Sequence, residues 1–117
     1  MAQPAPRPIS LHERYSLAYA RAILSRPYVF TIVFLVLNFF IFLLMWSFSG
    51  MSTTVLWTGF EEKVLLAYGA KTNYLIGHAH QYWRLVTPIF IHVNLPHVLI
   101  NMYSLWVIGP WVEKLYG

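Results

Sequence analysis

Two stretches of the chain are apolar over a length that can cross a bilayer, and they differ in how they are interrupted. Tyr28–Trp46 has no charged residue, and only Thr31 and Asn38 break its apolar run. At ~1.5 Å rise per residue it spans about 28 Å as a helix, close to the hydrocarbon thickness. Pro27 fits a first turn, Arg26 anchors one end, and Trp46 suits the opposite interface. The second stretch, Leu95–Val112, carries His97, Asn101 and Ser104 among Ile100, Met102, Leu105, Trp106, Val107 and Ile108. Asn94 is a good N-cap for it, with Leu95 and Pro96 in the first turn. Gly109-Pro110 is expected to thin or bend its last turns. The pattern therefore predicts membrane helices over about 28–48 and 95–113.

The rest of the chain divides around these spans. Positions 1–8 are Pro-rich and expected to be unordered. Ser10 and Glu13 fit a capping box, and Leu11, Tyr15, Ala18 and Ala22 follow as one apolar stripe. This predicts a short helix in the membrane interface, flanked by Arg14 and Arg21. Residues 50–93 form a connection too long to be slack. Thr58 and Glu61 offer a second capping box, Val64, Leu65 and Tyr68 an apolar face, and Gly69 a left-handed stop. The segment 77–84 is amphipathic and interfacial in character. No internal repeat is visible.

Composition agrees with a membrane chain. Of 117 residues, 58% are hydrophobic and only 10% charged, against roughly a quarter charged in soluble domains. The net charge of +4 is concentrated before the first span, in Arg7, Arg14, Arg21 and Arg26. That is a positive-inside signal, not a nucleic-acid patch, and no nucleic-acid partner is expected. It predicts a cytoplasmic N-terminal segment over 1–26 and an in–out–in path. No cleavable signal peptide is expected, because the first apolar run is too long and no small-residue cleavage pattern follows it. There is no cysteine, so neither disulfides nor thiolate metal sites are available.

His97 and Asn101 lie four residues apart, hence on one helix face, with His92 just upstream. Polar groups inside a span face protein or a water-filled cavity. Asn and His can aim N–H donors at a developing oxyanion, or bond to neighbouring helices as packing glue. Neither is a nucleophile. The chain contains no Asp and no Cys, so no Ser-His-Asp or Cys-His set can be built from it. A metal or haem site among His78, His80, His92 and His97 is disfavoured: i, i+2 histidines do not face each other on a helix, and no carboxylate stands near to orient a ligand ring. No cofactor or metal is expected.

Several motifs in order carry a family resemblance: Leu65-Leu66-Ala67-Tyr68-Gly69-Ala70, Trp83-Arg84 through His92, His97-Val98-Leu99-Ile100-Asn101, Trp106-Val107-Ile108-Gly109, and Val112-Glu113-Lys114-Leu115-Tyr116-Gly117. Over 64–117 the chain resembles the rhomboid family of intramembrane serine proteases. The resemblance implies an all-α membrane fold, a rhomboid-like helical bundle of which two transmembrane helices are present here. An interfacial N-terminal helix and a structured loop accompany them, and 27–117 is the N-terminal part of the domain. It implies that His97 and Asn101 stabilise an oxyanion during peptide hydrolysis. Trp83 and Arg84 would brace the loop, with the Arg tying carbonyls together. His92 would support the site, and Glu113 would close a cytoplasmic polar network.

The family's nucleophile is a serine in a Gly-x-Ser-Gly motif on a later helix, and its partner histidine lies later still. Neither is present. Ser47-Phe48-Ser49-Gly50 has Ser in place of the first Gly and precedes the loop, so it is rejected as the nucleophile. A span carrying His, Asn, Ser and Pro also needs more helices around it than one neighbour supplies. The expectation is a truncated or partial sequence, inactive alone, whose missing C-terminal helices complete the domain. Its expected partners are the lipid bilayer of a bacterial inner membrane and transmembrane protein substrates. The alternative is a non-catalytic, derlin-like protein that binds membrane clients.

Overall fold

The computed structural model describes residues 7–116. Positions 1–6 and 117 lie outside it, and with them most of the Pro-rich start and the final glycine of the last motif. Among the described residues there are helices and turns but no strand. Six α-helices follow in order: α1 (Leu11–Leu24), α2 (Val29–Phe48), α3 (Thr53–Thr58), α4 (Glu62–Tyr68), α5 (Asn73–Gly77) and α6 (Leu95–Tyr116). Two 3₁₀ turns, Tyr82–Leu85 and Thr87–Ile89, lie between α5 and α6.

Local side-chain caps start α1 and α6, whereas α2, α3, α4 and α5 begin without one. Ser10 and Glu13 form the full capping box on α1. Asn94 Oδ1 accepts the His97 N–H at 3.0 Å and caps α6. Gly69 ends α4 at φ 106°, ψ 28°, a left-handed residue. The expected box at Thr58 and Glu61 does not form. Gly59 turns the chain at φ 106° between α3 and α4, and the Thr58 hydroxyl donates to the Thr54 carbonyl instead. Pro27 also falls outside the helix it was expected to start, since α2 begins after Tyr28.

α2 and α6 run antiparallel along each other. Thr31 near the start of α2 meets Glu113 near the end of α6, while Phe42 and Met45 share a buried cluster with Val98. Gly109 allows close approach: a Cβ there would lie 2.7 Å from Thr31 Cγ2. α6 continues through Pro110 to Tyr116, so the proline does not end it. The connection docks on the far end of the pair. Phe60 packs edge-on to Phe42 at 5.4 Å, the Phe60 N–H donates to Val93 O at 2.9 Å, and Trp46 Nε1 donates to Ser52 O. Phe90 stacks on Phe34 at 5.8 Å, bringing the last part of the connection down beside α2.

Leu11–Phe48, broken only at the turn after Leu24, is the one described segment long and apolar enough to span a membrane unaided. α6 has the length of a span, but its His, Asn and Ser lower its apolarity. Large apolar side chains on both helices remain exposed, including Val36, Phe40, Ile100 and Trp106. A surface of that kind needs lipid or further helices against it.

Candidate functional site

The Asn94 cap decides where the polar residues of α6 fall. It places His97 in the first turn and Asn101 one turn deeper. His97 is exposed, and Asn101 is half-buried. His92, on the approach to α6, is 3% exposed and packs its ring edge-on against His97, with centroids 5.3 Å apart and planes at 72°. Burial, and secondarily the neighbouring His97, hold the His92 imidazole below its ordinary pKa. Its Nδ1 is buried without a hydrogen-bond partner.

Asn101 and His92 line one cleft of about 330 Å³ between α2, the second 3₁₀ turn and α6. Its walls are otherwise Phe34, Ile89, Met102 and Leu105, with Asn38 contributed by α2. Asn38 is 2% exposed. Its Nδ2 donates to Phe34 O at 2.7 Å, while its Oδ1 is buried and unpaired. In the sequence Asn38 is only an interruption of an apolar run. The available signal is that an amide in mid-span must face protein or a cavity, and here it faces the same cleft as Asn101. Ser104, the third polar residue of the same stretch, does not join them. It is exposed and donates to the Ile100 carbonyl.

Trp83 and Arg84 lie outside the cleft. Arg84 is 7% exposed, and its Nη1 donates to the carbonyls of Leu66 at 2.9 Å and Ala70 at 3.0 Å. Its Nε donates to Gln81 Oε1, and the guanidinium lies 4.4 Å from the Trp83 ring centroid. The Thr87 hydroxyl donates to Gly69 O at 2.7 Å. One cation thus ties the end of α4 to the first 3₁₀ turn, an arrangement that suits a guanidinium fork. Gly69 is needed there, since a Cβ would meet the Trp83 ring at 2.5 Å.

Glu113 marks the other end of the helix pair. The first N–H groups of a helix have no intrahelical acceptor, and Tyr28 supplies no side-chain cap to α2. The Glu113 carboxylate takes that place, accepting from the N–H groups of Phe30 and Thr31 and from the Thr31 hydroxyl, each at 2.8 Å. Arg26 Nη1 reciprocates by donating to Lys114 O at 3.4 Å. Two other histidines of the connection are engaged elsewhere: His78 stacks on Tyr74, and His80 pairs with the Tyr82 hydroxyl. Among the described residues no three His, Asp or Glu side chains converge as metal ligands.

The cleft itself can donate hydrogen bonds from the Asn101 amide toward a polarised oxygen, while His97 does not line it and is linked to it only through its ring contact with His92. Residues 79–117 match the family model described as Rhomboid domain. Among curated proteins, Rhomboid protease GluP of Bacillus subtilis is 38% identical over 88 residues, covering 75% of this chain and 16% of that protein. RHOMBOID-like protein 9, chloroplastic, of Arabidopsis thaliana is 50% identical over 52 residues, 44% of this chain and 12% of its own length. Rhomboid protease GlpG of Pectobacterium atrosepticum is 26% identical over 106 residues, covering 91% of this chain and 33% of that protein. The chain therefore spans a third or less of these relatives. No solved structure matches it.

Proposed function

Because the chain belongs to the rhomboid family and is with it an integral membrane protein, we propose that it forms the oxyanion side of an intramembrane serine endopeptidase. In this reading His97 and Asn101 are the catalytic residues present. They donate hydrogen bonds to the oxyanion formed when a serine attacks a peptide carbonyl of a transmembrane substrate. His92 positions His97, and Asn38 shares the wall of the cleft. Trp83 and Arg84 hold the loop that carries His92 into place. Glu113 fixes α2 against α6. The Ser and His of the dyad are not among these 117 residues, and the chain alone does not hydrolyse peptides. α2 and α6 both cross a bacterial inner membrane, with the N-terminus in the cytoplasm.

The observation that carries this reading is the geometry around the start of α6: Asn101 and His92 line one cleft, and the buried His92 packs on His97, one turn before Asn101. The experiment is Asn101→Ala in the protein encoded by the full reading frame. Its turnover of a transmembrane reporter should fall by about 10²–10³, as for other oxyanion donors, with KM and thermal stability little changed. Equal loss of stability and activity would return Asn101 to a packing role. A full reading frame without Gly-x-Ser-Gly would leave the client-binding alternative.

A further inference from the structure

α1 touches α6 through one face only. Tyr19, Ala20, Ile23 and Leu24 lie against Trp111, Lys114 and Leu115. At about 100° per residue, Arg14 and Arg21 share a different face, well round the helix from that contact, with Ala18 between them. Arg7, Arg14 and Arg21 are exposed. Among the described residues the one ion pair is Lys63–Glu61, so these arginines meet no carboxylate. Glu13, the only acid on α1, is taken by its cap: Oε2 accepts the Ser10 N–H at 2.8 Å, which holds the carboxyl below its usual pKa.

No residue of α1 is buried. Leu11 and Tyr15 are 70% and 75% exposed beside the arginines. α1 is joined to α2 by only the four residues 25–28, so its C-terminal end lies beside the start of the apolar helix. Lys114 stands at the same level, 5.4 Å over the Tyr28 ring.

We propose that α1 is a docking surface for anionic phospholipid headgroups, with Arg14 and Arg21 on the phosphates and Leu11 and Tyr15 inserted between lipids. The occupant must be both apolar and anionic to satisfy this face, and a bilayer containing acidic lipid is both. An acidic protein would answer the arginines but leave Leu11, Tyr15 and Ala18 against polar surface. Guanidinium forks also match phosphate oxygens. This rests on the reading that α2 crosses the membrane.

Because the chain has no cysteine, a nitroxide attached through Ala18→Cys reports one site. The 117-residue chain is reconstituted in vesicles of phosphatidylcholine, with or without phosphatidylglycerol, and label depth is measured. Phosphatidylglycerol should draw the label to headgroup level and slow its motion. Added salt should weaken the effect, and Arg14→Gln with Arg21→Gln should reduce surface occupancy roughly fivefold per arginine. Equal depth in both lipids, or indifference to the double substitution, overturns the proposal. So does immersion that needs an added acidic protein. A second label through Phe40→Cys on exposed α2 separates the two readings. If it is not in hydrocarbon, the membrane path fails. If it is, and the Ala18 label ignores lipid charge, the headgroup proposal alone fails.

Discussion

Asn101 reaches the cleft through a chain of local causes: Asn94 caps the helix, the cap sets the first turn, and the helical period brings His97 and Asn101 to one side. That much is legible from residue spacing. The burial of His92 and Asn38 is not, because it depends on which helix faces which. An unpaired buried amide oxygen or imidazole nitrogen costs about 1–3 kcal/mol; Asn38 Oδ1 and His92 Nδ1 are such atoms. Ser104 shows the limit of spacing from the other side, since a hydroxyl can satisfy itself on its own helix. The lowered pKa of His92 has a consequence for pH. Its neutral form is the one the fold accepts. As pH falls below the ordinary imidazole value near 6.5, the unfolded chain takes up a proton that the folded chain resists. Stability is therefore complete above that value and lost below it, by at most about 1.4 kcal/mol per pH unit for one proton. Thermal melts of the detergent-solubilised chain at pH 8 and pH 5 should show a drop that His92→Gln reduces. A drop of the same size in the variant would assign the effect to another group.

At the scale of elements, local signals succeed where both partners are close in sequence. The Ser10–Glu13 box forms as its residues predict. The matching pattern at Thr58 and Glu61 fails because Gly59, at φ 106°, ends one helix between them. The cap on α2 was out of reach of any local rule, since Glu113 comes from the other end of the chain. α2 and α6 then cap each other, Glu113 on the N–H groups of α2 and Arg26 on a carbonyl of α6. That lock requires the close approach at Gly109. Gly109→Ala would put a methyl 2.7 Å from Thr31 Cγ2 and 2.9 Å from Thr31 Oγ1. It should destabilise the pair by about 1–3 kcal/mol, as overpacking does. Thermal unfolding should show the loss, and Thr31→Ser, which removes the nearer methyl, should recover part of it. An unchanged melting temperature would mean that the helices do not meet there.

For the whole molecule, helix pairing alone does not bury the apolar surface. The described residues bury only five apolar side chains, Phe42, Met45, Phe60, Val64 and Val98, and much of α2 and α6 is left for lipid or further helices. The all-helical class and the family were both legible in the sequence, the first from apolar run lengths and the second from the ordered motifs. The pairing of α2 with α6 was not, because runs of apolar residues do not say which faces meet. A polar cleft on one side of a helix pair makes sense if another helix brings the reacting groups to it, and in the function proposed above this chain carries one half of such a site. The direct measurement is cleavage of a transmembrane reporter in vesicles, by the 117-residue chain and by the product of the full reading frame. The first should give no cleavage and the second should cleave. Turnover by the 117 residues alone, or none by a folded full-length product, would contradict the proposed function.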